Sequence, residues 1–408
     1  MRTTIRNATV LDTGSMTYVP DQAIVIEDGL IVDVTNDSPP GDVDIDARGT
    51  FALPGLIDAH VHHRLASLDF HAVSRWSEVE FGIAMADLAK GMVHRGFTTV
   101  RDLGGDVNGL LRAIARGAAT GPRMFRAGRM LTQTGGHGDS QGGPRAVPSC
   151  ACAMRHDAFA IVADGPDAVR SAARHVLRDG SDFLKIHVSG GVASPSDPLD
   201  SVQYTPAEIA VAVTEAAHRG TYVAAHAYTP EAISMAIRNG VHTIEHANLI
   251  DAATALEVAE AGAVVVPTLA TYEAMHQMGP ALGMPAKNLA KNEIVYEAGL
   301  EAVETAVAAG VTLGLGTDLI GEAQPRQNRE FLLRGEVQPA ADVLRSMWLV
   351  NAAICGVQER AGVVGPGAFG DVILSRVDPL AELAAFADHE SSFTHVIQGG
   401  VVVVDRTQ

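Results

Sequence analysis

The chain has 408 residues, of which 47% are hydrophobic and 19% are charged, and its formal net charge is −18 at pH 7. This length exceeds one average domain and suits a barrel with a smaller appended module, and the apolar fraction supports a large core. The negative charge argues against nucleic acid and anionic membrane surfaces as partners.

The three cysteines argue against a disulfide framework and for a reducing compartment, because their number is odd and their spacing irregular. Cys150 and Cys152 with His156 resemble a metal clip, but the missing fourth ligand favours an ordinary loop. The first residues lack the basic and apolar regions of a signal peptide, and no apolar run approaches the roughly 20 residues that span a bilayer. We therefore expect a cytoplasmic protein.

Both ends of the chain have the pattern of short strands and tight turns. Asp28-Gly29 separates two apolar runs and predicts a two-residue hairpin. Gln398-Gly399-Gly400 separates two similar runs near the C-terminus. We predict one small β-sandwich domain built from residues 1–55 and 353–408, because the ends of a compact unit often lie close together.

In residues 56–352, strand-like runs alternate with helical patterns, which predicts an α/β fold of the (β/α)₈ TIM-barrel type. The eight predicted strands are 56–63, 98–104, 123–131, 181–188, 222–228, 242–248, 263–269 and 312–318.

Two helix starts in this region are clearly marked. Thr205 is a predicted N-cap followed by Pro206, with Glu208 completing a capping box, and Thr229-Pro230 repeats the device. Two other segments, 132–165 and 271–295, break the alternation. They predict long loops that either cover the barrel mouth or decorate the surface.

Six polar residues fall near the C-terminal ends of five predicted strands, where barrel enzymes carry their active sites. They are His60 and His62 on the first strand, Lys185 on the fourth, His226 on the fifth, His246 on the sixth and Asp318 on the eighth. Imidazole and carboxylate are ligands that zinc-type ions prefer. Singly, each is more often structural, and Asp318 could be a helix N-cap. In this order they indicate a metal-dependent hydrolase.

This order resembles the amidohydrolase superfamily. Pro54-Gly55-Leu56-Ile57-Asp58-Ala59-His60-Val61-His62 is similar to the family's opening signature. The motifs that narrow the resemblance are Thr134-Gly135-Gly136-His137-Gly138-Asp139, Ser189-Gly190-Gly191-Val192-Ala193-Ser194-Pro195, Ala225-His226-Ala227-Tyr228-Thr229-Pro230 and Gly316-Thr317-Asp318-Leu319-Ile320-Gly321. They are similar to the branch of prolidase-like and other metallo-carboxypeptidases and ochratoxin-hydrolysing amidases, related to imidazolonepropionases. The resemblance covers nearly the whole chain.

The resemblance implies two divalent metal ions, for which we expect zinc. Lys185 would carry a carbamate derived from carbon dioxide and join both ions, and its apolar context favours this because desolvation lowers the pKa of an amine. The alternative is a buried lysine paired with a carboxylate. The ligands implied for one ion are His60, His62 and Asp318, and those for the other are His226 and His246. A metal-bridging hydroxide would attack, with Asp318 as proton shuttle.

Four further residues are candidates for substrate contacts. Tyr228 shares a strand face with His226, and its hydroxyl could stabilise an oxyanion or bind a carboxylate, as could His137 in its glycine-rich loop. His187 departs from the branch pattern and either tunes selectivity or forms a wall. Arg326 either clamps a carboxylate or lies exposed.

Two acidic residues, Asp58 and Glu245, lie close to predicted ligands, and we do not expect them to coordinate a metal ion. We expect them to orient the ligands through hydrogen bonds or to pack beside them.

These features predict an enzyme that cleaves the amide bond of an N-acyl amino acid or dipeptide, a small-molecule substrate, and we expect a homo-oligomer. The alternative keeps the metal site but changes the bond to a cyclic amide, lactone or carbamate. A non-catalytic scaffold is disfavoured because all six ligand positions are filled. A serine hydrolase is disfavoured because no Gly-x-Ser-x-Gly elbow is present.

Overall fold

The computed structural model describes residues 1–37, 39–69, 73, 75–139, 159–194 and 197–407. The strands are β1 (Arg2–Asp12), β2 (Thr17–Glu27), β3 (Leu30–Thr35), β4 (Val43–Asp46), β5 (Phe51–Pro54), β6 (Leu56–Val61), β7 (Phe97–Asp102), β8 (Arg123–Arg126), β9 (Met130–Thr132), β10 (Ala160–Val162), β11 (Leu184–His187), β12 (Val223–Ala227), β13 (Thr243–His246), β14 (Val264–Val266), β15 (Thr312–Leu313), β16 (Val372–Ser375), β17 (Phe393–Gln398) and β18 (Val401–Asp405). The metal clip considered for Cys150, Cys152 and His156 lies outside the described residues.

The α-helices are α1 (Glu78–His94), α2 (Asn108–Ala115), α3 (Pro166–Arg178), α4 (Pro206–His218), α5 (Pro230–Arg238), α6 (Ala252–Glu260), α7 (Leu269–Met278), α8 (Ala286–Ala308), α9 (Arg329–Gly335), α10 (Ala340–Arg345), α11 (Asn351–Ile354), α12 (Leu383–Ala387) and α13 (His389–Ser392). A 3₁₀ helix spans Gly321–Arg326 and a π-helical turn spans Ser346–Val350. Within the described ranges, no helix combines the length and apolar character needed to cross a membrane.

Strands from both ends of the chain share one sheet, in the order β18-β17-β16-β5-β1-β2-β3, with β4 paired to β1. Asp28 and Gly29 join β2 to β3 with φ angles of 47° and 85°, and a type I′ hairpin turn requires two positive φ angles. This sheet supports in part the β-module predicted from both ends. Its strands are not separated into two sheets as predicted for a sandwich, because β5 pairs with β1 on one side and with β16 on the other.

The parallel strands lie between these ends and alternate with helices, so the predicted α/β fold is confirmed. One sheet has the order β6-β7-β8 and the other the order β10-β9-β11-β12-β13-β14-β15. Backbone hydrogen bonds also connect the three-stranded sheet to residues that flank strands of the other sheet. The amide of Ala59 donates to the carbonyl of Leu315 over 2.9 Å, and the amide of Asp182 donates to the carbonyl of Arg126 over 2.8 Å.

The marked helix starts are confirmed. Thr205 accepts a hydrogen bond from the amide of Glu208, and the Glu208 side chain closes the capping box of α4. Thr229 caps α5 in the same way through the amide of Ala232. Such a cap stabilises a helix by about 1 kcal/mol, and α5 begins only three residues after β12 ends.

The two segments predicted as loops contain regular structure. The segment 132–165 includes β10, which pairs with β9, and the segment 271–295 is largely helical, within α7 and α8. The loop prediction for 271–295 is wrong because its glycines and prolines cluster between the two helices. The predicted strand 123–131 is also divided, since Gly128 adopts a φ of 66° between β8 and β9.

Candidate metal centre

A cavity of about 570 Å³ opens at the carboxyl ends of the parallel strands. All six predicted metal ligands line it, and they come from β6, β11, β12, β13 and the turn after β15: His60, His62, Lys185, His226, His246 and Asp318. Side chains from such distant parts of the chain meet here because parallel strands present their carboxyl ends at the same edge of a sheet.

Three of these side chains form a compact cluster. One ligand atom from each of His60, His62 and Asp318 lies within 4.8 Å of the other two. The Asp318 Oδ1 atom is 3.5 Å from His60 Nε2 and 3.3 Å from His62 Nε2. Two imidazoles and one carboxylate are a donor set that suits a divalent transition metal.

The backbone at two predicted ligands is in the left-handed region, with φ at +76° for His246 and +50° for Asp318. A side chain other than glycine in this region costs on the order of 1–3 kcal/mol and persists where the surrounding structure fixes it. The amide of Asp318 is fixed here by a 2.7 Å hydrogen bond to the carbonyl of His60. In this backbone conformation both side chains line the cavity.

Two imidazoles are oriented through their Nδ1 atoms. His60 Nδ1 donates to Glu245 Oε2 over 2.9 Å, and His246 Nδ1 is 2.8 Å from Thr268 Oγ1. Burial lowers the pKa of both imidazoles well below the usual value, so both rings are neutral at pH 7. Each therefore keeps Nε2 for a metal ion.

The other two imidazoles are held by backbone carbonyls. His226 Nε2 donates to the carbonyl of Gly190 over 3.1 Å, which leaves Nδ1 for coordination. His62 Nδ1 has a longer, 3.5 Å contact with the carbonyl of Gly104. Burial lowers the pKa of His62 to about 4 and that of His226 well below the usual value. All four rings are thus neutral, which is the state that binds a metal.

Lys185 is 2% exposed, and its Nζ atom has no hydrogen-bond partner in the described part of the chain. Burial lowers the pKa of its amine, while the charges of Glu245 and Asp318 oppose this shift. A buried ammonium without acceptors is costly, so the site favours a neutral or modified amine. The residues present therefore fit a metal centre that includes Lys185.

Arg101 holds residues of the candidate metal centre in place. It was not among the functional residues predicted from the sequence. It is fully buried, donates to both carboxylate oxygens of Glu245 over 2.7 and 2.8 Å, and donates to the carbonyl of Ala59 over 2.6 Å. The pair fixes Glu245, which in turn fixes the ring of His60. The available signal was a pair of charged residues, Arg101 and Asp102, at the end of β7, whose other residues are apolar or hydroxylated.

Asp58 makes hydrogen bonds and does not line the cavity. It accepts from the Thr317 hydroxyl over 2.7 Å, from Gln327 Nε2 over 2.8 Å and from the His60 amide over 3.0 Å. Burial raises its pKa to about 6. These bonds join β6 to the turn that carries Asp318, so the first and last ligands are held together.

Tyr228 and His137 both line the cavity. The hydroxyl of Tyr228 lies 2.9 Å from that of Tyr272, a cavity residue that sequence reasoning missed. His137 Nδ1 is 2.7 Å from Ser194 Oγ, and the His137 ring stacks on His226 with centroids 4.4 Å apart. Both candidates are therefore adjacent to the predicted ligands.

The two remaining candidates differ in position. His187 lines the cavity, and its buried Nδ1 atom has no hydrogen-bond partner among the described residues. Arg326 does not line it, and its guanidinium donates to Gln277 instead. The structure thus gives no support to Arg326 as a substrate ligand, because the turn after β15 directs Ile320 into the cavity in its place.

Comparison with known proteins places the chain in a family. The Amidohydrolase family model matches residues 51–403. Ochratoxinase from Aspergillus niger is 29% identical over 370 residues, which cover 85% of this chain and 74% of that protein. Two solved structures each align over 100% of both chains: an amidohydrolase with a TM-score of 0.95 and 41% identity, and a prolidase complexed with N-methylphosphonate-L-proline with a TM-score of 0.93 and 39% identity.

The family model spans most of the chain and includes every residue of the candidate metal centre. The ochratoxinase and prolidase similarities agree with the branch that the sequence motifs resemble. The chain belongs to the amidohydrolase family and is a hydrolase that acts on amide bonds.

Proposed function

We propose that this protein is a binuclear metal-dependent amidohydrolase that cleaves the amide bond of an N-acyl amino acid or a dipeptide. The observation that carries the proposal is the convergence of six predicted ligands on one buried cavity. The prolidase and ochratoxinase similarities support a linear amide as the substrate.

The proposed ligands divide into two sets that Lys185 joins. One ion would be held by His60, His62 and Asp318, and the other by His226 and His246, with Lys185 as a carbamate between them. Zinc fits these donors. Divalent ions bound there supply Lewis-acid activation of water and of the scissile carbonyl.

The chain's own residues provide the proton transfers. Asp318 is placed to accept the proton of the attacking water and to deliver it to the leaving nitrogen, which requires a carboxylate that can take up a proton. Burial raises the pKa of the Asp318 carboxyl, which favours uptake of a proton.

Two donors beside the ligands would bind the substrate. The Tyr228 hydroxyl, which Tyr272 holds at 2.9 Å, can donate to the acyl oxygen or to a terminal carboxylate. His137 lies on the same side, stacked on His226. His187 adds a further imidazole next to them, with ring centroids 5.1 Å from His137.

We also propose that β6, β7, β8 and β11–β15 close into a (β/α)₈ barrel within residues 56–352, flanked by the parts 1–55 and 353–408. The hydrogen bonds between Ala59 and Leu315 and between Asp182 and Arg126 support this closure. A barrel places all five site-bearing strands around one mouth.

The test is a screen of the metal-reconstituted enzyme against N-acyl amino acids and dipeptides, read by the release of the free amino acid. Cyclic amides and lactones are run in parallel. We expect turnover of the linear amides. Turnover of only the cyclic substrates, or of none of the substrates, would refute the linear-amide proposal.

A further inference from the structure

Two sequence motifs that supply no metal ligand meet beside the cavity. They are the glycine-rich loop that carries His137 and the segment 189–194 after β11. His137 Nδ1 lies 2.7 Å from Ser194 Oγ, and both residues line the cavity. The Ser194 hydroxyl in turn donates to Asp197 Oδ1. An imidazole, a hydroxyl and a carboxylate thus form one chain of hydrogen bonds.

The Asp197 carboxylate fixes the direction of these hydrogen bonds. It is buried, and it also accepts from the amide of Gly191 over 2.9 Å and from Gln203 Nε2 over 3.2 Å. A second, weaker partner of the Ser194 hydroxyl, the Gly191 carbonyl at 3.4 Å, is likewise an acceptor. Because the hydroxyl has one hydrogen to donate and its other partners only accept, its oxygen must accept from His137 Nδ1. In either charge state of the ring, Nδ1 therefore carries a proton and Nε2 is left for a group in the cavity.

The ring of His137 is confined as well as bonded. It stacks on His226, a proposed metal ligand, with centroids 4.4 Å apart and an angle of 25° between the planes. A Cβ atom on Gly191 would lie 2.0–2.4 Å from three atoms of the ring, so a larger residue there would displace it. The backbone amide of His137 donates to Gln203 Oε1 over 2.9 Å. The imidazole therefore has little freedom to turn.

The segment that carries Ser194 is anchored from α8. Lys291 is buried, and its Nζ atom donates to three backbone carbonyls, those of Gly191 over 2.9 Å, Ser194 over 2.8 Å and Asp197. Asn288, on the same helix, donates from Nδ2 to the carbonyl of Val192 over 2.5 Å. These bonds fix the hydroxyl and the carboxylate before a ligand binds. Such an arrangement favours binding because little order is lost when the ligand enters.

We propose that Ser194 and Asp197 are positioning residues for His137, which they hold with Nε2 free for the substrate. The inference rests on the proposed function, in which His137 binds the substrate, and adds what sets the orientation of its ring. Asp197 fixes the Ser194 hydroxyl, and that hydroxyl keeps the proton on Nδ1. A buried carboxylate holds an imidazole in one tautomer in the same way in serine proteases.

Nitrogen NMR of the zinc-loaded protein labelled with ¹⁵N-histidine tests the inference without a substrate. The resonances of His137 are identified by their absence from the spectrum of His137→Gln. We expect a proton on Nδ1 in the unaltered protein and its transfer, wholly or partly, to Nε2 in Ser194→Ala, since the hydrogen bond of one nitrogen sets the tautomer. Asp197→Asn should shift the proton in the same direction, because asparagine can donate as well as accept. An unprotonated Nδ1 in the unaltered protein, or an unchanged tautomer in both variants, would overturn the inference.

Kinetics with the best linear amide from the screen give the second test. Ser194→Ala should lower kcat/KM at least about fivefold, as expected for the loss of one ordinary hydrogen bond. It should add nothing in a His137→Gln background, because both changes act through the same ring. Ser201→Ala is the matched control and should leave kcat/KM unchanged. The Ser201 hydroxyl lies in the same connection between β11 and α4 and donates to the carbonyl of Pro198 over 2.8 Å, but Ser201 does not line the cavity.

The two tests separate this inference from the proposed function. The expected tautomer and its loss in Ser194→Ala, without hydrolysis of any linear amide, would support the positioning of His137 and refute the proposed function. Hydrolysis that Ser194→Ala leaves unchanged, or lowers equally with and without the His137 imidazole, would overturn the positioning role and leave the proposed function standing.

Discussion

Glu245→Gln tests whether the carboxylate beneath the site orients a ligand. The Glu245 carboxylate accepts hydrogen bonds from His60 Nδ1, Arg101 and the Thr243 hydroxyl, and it is fully buried. Glutamine keeps the shape but removes the charge and one acceptor oxygen. The ring of His60 then loses its fixed orientation, and Arg101 loses its counter-charge.

The two consequences have separate magnitudes. Loss of a hydrogen-bond partner behind a ligating histidine typically lowers metal affinity 10–100-fold. Breaking a buried ion pair by removing one partner costs about 3–5 kcal/mol of folding stability. We therefore expect weaker metal binding and a lower midpoint of urea unfolding together.

The assay is a competition between the protein and a chelator for cobalt, followed by the cobalt absorption band, with urea unfolding measured alongside. Glu273→Gln is the matched control, because Glu273 is also a buried carboxylate that pairs with an arginine, Arg329, but does not line the cavity. A Glu245→Gln protein that is destabilised but binds cobalt with unchanged affinity would refute the orienting role.

Three substitutions test the chemistry. Lys185→Ala should abolish turnover, with partial rescue by a short carboxylic acid that replaces the carbamate, since the Lys185 amine is buried without a partner; near-normal turnover without added acid would contradict the bridging role. Asp318→Asn should lower kcat by about 10²–10⁴-fold in protein whose metal content is measured, and unchanged turnover at full metal content would remove Asp318 as proton shuttle. Tyr228→Phe should lower kcat about 10²–10³-fold if the hydroxyl stabilises the oxyanion, or mainly raise KM if it binds a carboxylate. Changes below twofold in both kcat and KM would show that Tyr228 lines the cavity without binding the substrate through its hydroxyl.

The convergence of the predicted ligands on one cavity could be predicted because each residue is marked locally. His60, Lys185, His226 and His246 each lie in a buried strand, and the order of these strands in the sheets follows the order of the sequence. The Asp28-Gly29 hairpin was predictable for the same reason, since a two-residue turn is specified by its own residues.

The supporting partners were not predictable because tertiary structure brings them in. Tyr272 meets Tyr228 across 44 residues, and Arg101 meets Glu245 across 144. The pairing of β5 with both β1 and β16, which joins the chain ends into one sheet, is likewise nonlocal. The helical parts of segment 271–295 are hard to predict because Gly279, Pro280 and Gly283, which are typical of loops, lie between two helices.

The number of metal ions bound per chain distinguishes a binuclear centre from a mononuclear one. The protein is reconstituted with zinc in the presence of bicarbonate, and excess metal is removed. The number of metal ions per chain is then measured by elemental mass spectrometry. We expect two ions per chain, and one or none in Lys185→Ala. One ion or none in the unaltered protein, found reproducibly, would contradict the binuclear centre.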